Sequence, residues 1–213
     1  MKYGVLGTGM VGRAISNRLA ELGHEVMIGT RDPSRSREKL KSLQDTVKAG
    51  TFAQAAAFGE ILFNVTGGAV SLEALRMAGQ ANMKDKVLVD ISNPLDFSKG
   101  MPPSLLVSNT DSLGEQIQRA FPDTKVVKSL NTVTAAIMVN PRVVAGGDHD
   151  MFVCGNDAVA KEVVTGILKE FGWSHITDLG DLTAARAMEM YLPLWLRLWG
   201  ALENGMFNIR IVR

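Results

Sequence analysis

The chain has 213 residues, of which 46% are apolar and 21% are charged, and its formal net charge is +1. This composition predicts a globular protein with one substantial core. The balanced charge gives no reason to expect nucleic acid or an anionic membrane as a partner. No apolar run reaches the roughly 18 residues of a membrane span, and the early first strand leaves no room for a signal peptide. The single cysteine, Cys154, excludes an intramolecular disulfide and favours a cytoplasmic setting.

The N-terminal stretch of residues 2–12, KYGVLGTGMVG, is the most informative part of the sequence. A short apolar strand runs into glycines spaced GxGxxG, and an amphipathic helix and a second strand, 24–29, follow. Gly7 permits a tight turn, Gly9 permits close approach of a pyrophosphate, and Gly12 permits close packing of helix on sheet. The pattern predicts a dinucleotide site at the start of the helix.

Strands and helices alternate along the rest of the chain, and a loop with Gly100, Pro102 and Pro103 interrupts the pattern. This alternation predicts an α/β fold, a doubly wound, mostly parallel Rossmann sheet with helices on both faces. Further strands are predicted at 46–49, 61–65, 87–91, 125–130, 151–154 and 174–178, and helices at 51–58, 71–81, 112–121, 134–139 and 158–171.

The last segment, residues 181–213, is predicted to be a helical extension of the Rossmann domain formed by residues 1–180. Asp181 is a fair N-cap, and Pro193 should kink or split the helix. Apolar residues recur at helical spacing, namely Leu182, Ala185, Met188, Leu192, Trp195, Trp199 and Leu202. Because so much apolar surface must be buried, we expect a homodimer through this tail, with part of it bordering a ligand pocket. The alternative is that the tail caps the monomer's own sheet.

Small or polar segments follow five of the predicted strands. Open parallel sheets bind ligands at the carboxyl ends of their strands, so these segments are expected to form one crevice. They are residues 7–12, 30–35, 66–68, 92–94 and 131–133.

The segment after the second strand predicts the choice of dinucleotide. NAD binders usually place Asp or Glu here to hold the ribose 2′-hydroxyl. This chain has Thr30 and Arg31, and a guanidinium and a hydroxyl suit a 2′-phosphate instead. Arg35 could reach the same phosphate, and Asp32 could cap the next turn while facing away. The sequence therefore predicts NADP(H) over NAD(H).

Groups for acid–base catalysis are scarce. His24, His149 and His175 are each expected at the surface, and no spacing of His, Cys or carboxylates suggests a metal site. Hydride transfer between two bound cofactors needs little from the protein beyond positioning. We therefore predict no catalytic side chain and favour a second redox cofactor as the substrate.

Four segments, GTGMVG, GTRDPS, DISNPL and VVKSLNTV, resemble the NADPH-dependent reductases of coenzyme F420, a deazaflavin, and the similarity covers nearly the whole chain. The same module resembles the cytosolic domain of six-transmembrane metalloreductases. The resemblance implies a pyrophosphate loop of Thr8, Gly9, Met10 and Val11, and a 2′-phosphate site of Thr30, Arg31 and Arg35. It also implies that Thr66, Gly67 and the segment from Asn131 to Ala135 form walls around the ribose and the nicotinamide. The two rings are expected to stack in the crevice near Gly67, Asn93 and Asn131.

The activity that this resemblance implies is reversible hydride transfer between nicotinamide C4 and deazaflavin C5. One alternative is an NADPH-dependent reductase of free flavin, ferric chelate or quinone. Another is a non-catalytic NADP(H)-binding sensor. Trp195 and Trp199 could wall the deazaflavin pocket, although core packing is the expected role of both.

Overall fold

A computed structural model describes residues 1–34 and 36–213 and contains ten strands in two sheets. The strands are β1 (Lys2–Leu6), β2 (Glu25–Thr30), β3 (Lys48–Thr51), β4 (Ile61–Asn64), β5 (Val87–Asp90), β6 (Leu95–Asp96), β7 (Ser104–Leu105), β8 (Lys125–Ser129), β9 (Asp150–Gly155) and β10 (His175–Asp178).

Ten α-helices are found among the same residues, together with four short 3₁₀ turns. The helices are α1 (Met10–Glu21), α2 (Arg37–Leu40), α3 (Phe52–Phe58), α4 (Ser71–Ala78), α5 (Gln80–Met83), α6 (Leu113–Ala120), α7 (Ala135–Val139), α8 (Ala158–Phe171), α9 (Ala185–Met190) and α10 (Leu192–Leu202). Within the described ranges, none of them has the length and apolar character that crossing a membrane requires.

The central sheet has eight strands in the order β10-β9-β8-β5-β4-β1-β2-β3. The six strands from β3 to β8 in this order are parallel to one another. β9 runs antiparallel to β8, and β10 is parallel to β9. The six parallel strands have the order of a dinucleotide-binding sheet. The predicted α/β class, with a mostly parallel doubly wound sheet and a helical C-terminal stretch, is confirmed.

Helix ends follow the capping signals in the sequence. Thr51 and Gln54 form a capping box at the start of α3, and the side chain of Asp157 accepts a hydrogen bond from the backbone N–H of Ala160 in α8. Gly172 ends α8 in the left-handed conformation that glycine adopts most readily. These local signals explain why most predicted boundaries agree with the structure.

Three details differ from the predictions. The third strand starts two residues later than expected, at Lys48, where it pairs with β2. The predicted helix 71–81 is divided at Gly79, whose φ of +88° cannot continue a helix. The predicted loop after Pro94 contains the antiparallel ribbon of β6 and β7.

Side chains of β1 alternate between two cores on opposite faces of the sheet. Tyr3 and Val5 pack in one core with Ile15 of α1, whereas Leu6 packs in the other with Ala55 of α3. All five residues are fully buried. Both faces of the sheet are therefore covered by helices, which leaves its strand ends as the place for a ligand.

The C-terminal helical segment is split at Tyr191 into α9 and α10, and Pro193 lies in the first turn of α10, as predicted. Met188 packs in the core on the α3 side, and Trp195 is also buried. Trp199, in contrast, is 44% exposed. The tail thus has an inner face against the rest of the chain and an outer face in solvent. The division into domains 1–180 and 181–213 stays a prediction.

His149 is buried, so the prediction that all three histidines lie at the surface was wrong for this residue. Its Nε2 is 2.9 Å from the carbonyl oxygen of Pro141, and its Nδ1 is 2.9 Å from Asn208 Nδ2. The C-terminal residues after α10 run beside β9, where the Asp150 N–H donates to the carbonyl of Ile209. Because this return segment packs on it, His149 is structural.

Candidate functional site

One cavity of about 480 Å³ lies at the carboxyl ends of the parallel strands, where open α/β sheets bind ligands. Seven predicted site residues line it, namely Met10, Val11, Thr66, Gly67, Asn93, Asn131 and Ala135. The turn after β1 contains Gly7, Thr8 and Gly9, and the first turn of α1 contains Gly12. At the end of β2 lie Thr30 and Arg31. Arg35 lies outside the described residues.

The glycine turn after β1 has room for a ligand at one position only. Gly7 has a φ of +128°. A Cβ atom on Gly12 would lie 1.9 Å from the carbonyl oxygen of Gly7, whereas a Cβ on Gly9 would have no atom within 4 Å. Gly12 is therefore required for packing, and Gly9 leaves the open space that a pyrophosphate needs.

The N-terminus of α1 opens onto this turn, and no side chain of the described residues caps it. The carbonyl of Thr8 accepts a hydrogen bond of 3.0 Å from Nη1 of Arg13, so a guanidinium holds the turn in place. Backbone N–H groups and the positive end of the helix dipole attract anions at such a position. The turn and the helix start together fit a dinucleotide pyrophosphate.

At the end of β2, the guanidinium of Arg31 is exposed and has no hydrogen-bond or ion-pair partner in the described part of the chain. Asp32 Oδ1 accepts hydrogen bonds from the backbone N–H and hydroxyl of Ser34, so this carboxylate caps the turn. The hydroxyl of Ser36 donates to the carbonyl of Asp32 and lies 2.8 Å from Thr30 Oγ1. Ser36 has one hydroxyl hydrogen, so the Thr30 hydroxyl donates to Ser36.

Two amide side chains join the loops after β5 and β8, and backbone carbonyls fix which way each amide faces. Asn93 Nδ2 donates to the carbonyl of Asn131, and Asn131 Nδ2 donates to Asn93 Oδ1 and to the carbonyl of Met188. Neither amide can be flipped without placing an oxygen against a carbonyl. Asn131 Oδ1 is buried and has no partner among the described residues. Such an acceptor is a candidate partner for an N–H or O–H group of a bound ligand.

The far side of the cavity is apolar and is built by distant parts of the chain. Side chains of the β6–β7 ribbon, the β8–α7 segment and the tail line it, namely Leu95, Phe97, Val133, Met138, Leu192, Trp195 and Leu196. The ring of Trp195 stacks on Phe207 with 5.5 Å between centroids. Its indole N–H has no partner among the described residues. The tail borders the pocket, as the sequence predicted for part of it.

A buried ion cluster lies behind the loops after β5 and β8. Lys128 Nζ is 2.7 Å from Asp90 Oδ2 and 2.8 Å from Glu189 Oε1, and it also donates to the carbonyl of Ser92. Burial alone would lower the pKa of Lys128, but the carboxylates of Asp90 and Glu189 raise it above its usual value. The lysine is thus held as an ammonium ion.

Hydrogen bonds extend from this cluster to the cavity wall and to the tail. Asp90 Oδ1 accepts from Asn64 Nδ2, and Asn64 Oδ1 accepts from the hydroxyl of Thr66. Asp90 Oδ1 also accepts from the backbone and hydroxyl of Ser92. The carboxylate of Glu189, on α9, accepts from two backbone N–H groups at the start of α6. The cluster therefore connects two cavity loops to the tail.

Other reactive groups lie apart from the cavity. Burial raises the pKa of the Cys154 thiol to about 12, which makes it an inert core residue. Among residues 1–34 and 36–213, no three His, Cys, Asp or Glu side chains are grouped so that they could hold a metal ion.

Sequence reasoning missed several residues that shape the site. Arg13 and Ser36 hold its loops, and Lys128, Asp90 and Glu189 form the ion cluster behind it. A signal for the cluster was available, because each of its three members is a charged residue in an otherwise apolar stretch. Leu95 and Phe97 carried no comparable signal.

The strand order, the glycine turn and the strand-end cavity define a dinucleotide-binding protein of the α/β class. A family model described as NADP oxidoreductase, coenzyme F420-dependent, matches residues 2–94. The crystal structure of a candidate F420-dependent NADP reductase from Arthrobacter sp. FB24 has 54% sequence identity and a TM-score of 0.98, with 100% of both chains covered. The chain belongs to the family of coenzyme F420-dependent NADP oxidoreductases.

Two curated relatives differ in how much of their length the chain spans. The F420-dependent NADP reductase of Methanocaldococcus jannaschii is 29% identical over 212 residues, which cover 93% of this chain and 92% of that protein. Metalloreductase STEAP3 of Rattus norvegicus is 29% identical over 200 residues, which cover 91% of this chain but 38% of that protein. The predicted family and the predicted class of enzyme, an NADP-dependent oxidoreductase, are confirmed, and the family pairs the two predicted cofactors, NADP(H) and F420.

Proposed function

We propose that this protein transfers a hydride reversibly between NADP(H) and coenzyme F420 inside the strand-end cavity. When both are bound, nicotinamide C4 gives a hydride to deazaflavin C5, and a proton from solvent completes reduction of the deazaflavin at N1. The observation that carries the proposal is that one cavity includes both the start of α1, at Met10 and Val11, and the tail, at Trp195. Its volume of about 480 Å³ is within the range of roughly 300–1,000 Å³ that small-molecule sites have.

The dinucleotide would lie across the carboxyl ends of β2, β1, β4, β5 and β8. Backbone N–H groups of the glycine turn and α1 would hold the pyrophosphate. Thr30, Arg31 and Arg35 would hold the 2′-phosphate, with the exposed guanidinium of Arg31 as the main contact. Because Thr30 donates to Ser36, its hydroxyl would have to rotate to donate to the phosphate.

The nicotinamide would lie near Thr66, Gly67, Asn93, Asn131 and Ala135. Asn131 Oδ1 supports this placement, because it is a buried acceptor without a partner among the residues that the structure describes and the nicotinamide carboxamide carries an N–H pair. The apolar side of the cavity, between the β6–β7 ribbon and the tail, would receive the deazaflavin ring. The chain positions the two rings and excludes water, and no side chain is assigned a proton.

Two further properties are part of this proposal. We infer a homodimer through the tail, since Leu194, Trp199 and Leu202 leave an exposed apolar surface on α10. A monomer in light scattering at micromolar concentration would contradict the homodimer.

The cytoplasm is the compartment that the single buried thiol of Cys154 favours.

A second candidate function follows from the metalloreductase relative, whose identity of 29% equals that of the archaeal reductase. In that case NADPH would reduce a flavin or a ferric chelate bound in the same cavity.

The test is an acceptor screen by stopped-flow absorbance, with NADPH mixed against F420, FMN, ferric citrate and menadione. We expect rapid oxidation of NADPH with F420 only. Oxidation with FMN or ferric citrate instead would favour the second candidate, and oxidation with menadione would favour a quinone reductase. Tight NADPH binding without oxidation by any acceptor would favour a non-catalytic sensor.

The choice of dinucleotide is tested with Arg31→Ala by fluorescence titration with NADPH and with NADH. Loss of charge-assisted hydrogen bonds worth roughly 1.5–3 kcal/mol should weaken NADPH binding by about 10- to 150-fold. NADH binding should not change, and it serves as the internal control. Equal dissociation constants of the wild-type protein for NADPH and NADH would contradict the assignment of NADP(H).

A further inference from the structure

The ion cluster behind the cavity carries an excess of negative charge. Lys128 contacts two carboxylates, Asp90 and Glu189, so two negative groups and one positive group leave a net charge of −1. The side chains of Lys128 and Asp90 are 0% exposed, and that of Glu189 is 2% exposed. Solvent therefore screens this charge much less than it screens a surface ion pair.

The hydrogen bonds of both carboxylates are those of ionised groups. Asp90 accepts from Asn64, from Lys128 and twice from Ser92. Glu189 accepts from two backbone N–H groups of α6 and contacts Lys128. The positive end of the α6 dipole is equivalent to roughly half a charge, so it offsets the charge of Glu189 only in part.

The cluster lies directly behind the wall where the nicotinamide is expected. Ser92 lines the cavity, its carbonyl accepts from Lys128, and its N–H and hydroxyl bond to Asp90. Asn131, also in the wall, donates to the carbonyl of Met188, the residue before Glu189. Asp90 therefore contacts the cavity lining directly, and one residue, Met188, lies between Glu189 and the lining.

We propose that the excess negative charge of Asp90, Lys128 and Glu189 stabilises the cationic ring of NADP⁺ over the neutral ring of NADPH. The inference rests on the proposed function, because it requires NADP(H) in the cavity. Stabilising the oxidised ring makes bound NADPH a stronger hydride donor. The cluster then biases the reaction towards reduction of the deazaflavin, and its members act as positioning and electrostatic residues without contacting the reacting atoms.

The experiment measures the dissociation constants of NADP⁺ and NADPH by isothermal titration calorimetry and compares their ratio between variants. Glu189→Gln removes one negative charge and should raise the ratio of Kd(NADP⁺) to Kd(NADPH), by roughly tenfold for a unit charge at about 10 Å in a protein interior. Asp90→Asn removes the other negative charge, keeps an Oδ1 for the hydrogen bonds from Asn64 and Ser92, and should raise the same ratio. A purely structural role would weaken both ligands together and leave the ratio unchanged.

Glu115→Gln is the matched control, because it also removes a carboxylate between α6 and α9. Glu115 accepts from Arg186 Nε at 2.9 Å and from Ser112, away from the cluster. The ratio for this variant should equal that of the wild-type protein.

Far-ultraviolet circular dichroism establishes that each variant is folded. The sign of the change in the ratio of Kd(NADP⁺) to Kd(NADPH), in either cluster variant, is sufficient for the test. An unchanged ratio in folded Glu189→Gln or Asp90→Asn, with tight dinucleotide binding, would overturn the inference and leave the proposed function intact. Wild-type protein that binds NADP(H) but does not reduce F420 would contradict the proposed function alone.

Discussion

The two ends of the cavity are built differently. At the dinucleotide end, residues 7–12 form the turn, the helix start and the open space in one continuous stretch. At the other end, side chains from the β6–β7 ribbon, α7 and α10 meet from separate parts of the chain. The first end depends on backbone geometry, and the second depends on tertiary packing.

This difference has a consequence for specificity. Backbone N–H groups and glycine geometry recognise a phosphate in many proteins, so the dinucleotide end is expected to tolerate few changes. Side chains that meet only in the folded protein can be exchanged one at a time. We therefore expect the second ring to be selected mainly by the ribbon and the tail.

The largest effect is expected from Gly12→Ala. Its Cβ would lie 1.9 Å from the carbonyl oxygen of Gly7, so the turn or the helix must move. We expect about 1–3 kcal/mol of destabilisation, measured by urea unfolding, together with loss of NADPH binding. Gly9→Ala is the control, because its Cβ would meet no atom within 4 Å and its φ of −68° suits alanine. Gly9→Ala should weaken NADPH binding without changing stability, and full NADPH affinity in this variant would contradict the pyrophosphate placement.

A smaller effect is expected at Asn131, between the two ends. Its buried Oδ1 should accept a hydrogen bond from the nicotinamide carboxamide, and an analogue with an acetyl group in place of the carboxamide cannot supply that hydrogen. Leaving the acceptor unpaired costs about 1–3 kcal/mol, so wild-type protein should bind reduced 3-acetylpyridine-NADP roughly tenfold more weakly than NADPH.

Asn131→Ala should bind the two dinucleotides with similar affinity, as fluorescence titration would show. Equal affinities in the wild-type protein would contradict the placement of the carboxamide. A thermal melt of the variant controls for the lost hydrogen bond to the Met188 carbonyl.

The contrast between the two ends also explains what could be predicted from the sequence. The glycine turn was predictable because its three glycines lie within six residues and the flanking strand and helix have clear periodicity. The hydrogen bond that the Thr30 hydroxyl donates could not be predicted, because its acceptor is Ser36 in the following turn. The mostly parallel, doubly wound class of the sheet followed from the alternation of elements, but the strand order and the reversed direction of β9 and β10 did not.

The ion cluster could not be assembled from its sequence signals for a related reason. Lys128 and Asp90 are 38 residues apart and meet because β5 and β8 are adjacent and pair these two positions. Glu189 joins them from the tail. Taken alone, each of the three is a charged residue in an apolar stretch. Only the pairing of β5 with β8 and the packing of α9 bring them into contact. The burial of His149 depends in the same way on the return of the C-terminal segment.

The smallest effect is expected at the tail, where Trp195 and Trp199 form a matched pair with 5.6 Å between ring centroids. Trp195 lines the cavity and its buried N–H has no partner among the described residues, whereas Trp199 is 44% exposed. Trp195→Phe removes that N–H and some ring area but keeps an aromatic ring against Phe207. If the indole donates to a carbonyl of the deazaflavin, the KM for F420 should rise by about 2- to 10-fold, the range for one hydrogen bond of about 0.5–1.5 kcal/mol.

The stability of Trp195→Phe should change little, because the lost ring area is offset by removal of a buried donor that has no partner in the described part of the chain. The KM for NADPH should stay constant in both variants, since the dinucleotide end is untouched. Trp199→Phe should leave the KM for F420 within about twofold, as expected for a surface substitution. If Trp199→Phe raises the KM for F420 as much as Trp195→Phe does, the second ring binds on the outer face of the tail. The assignment of the deazaflavin to the apolar end of the cavity would then be wrong.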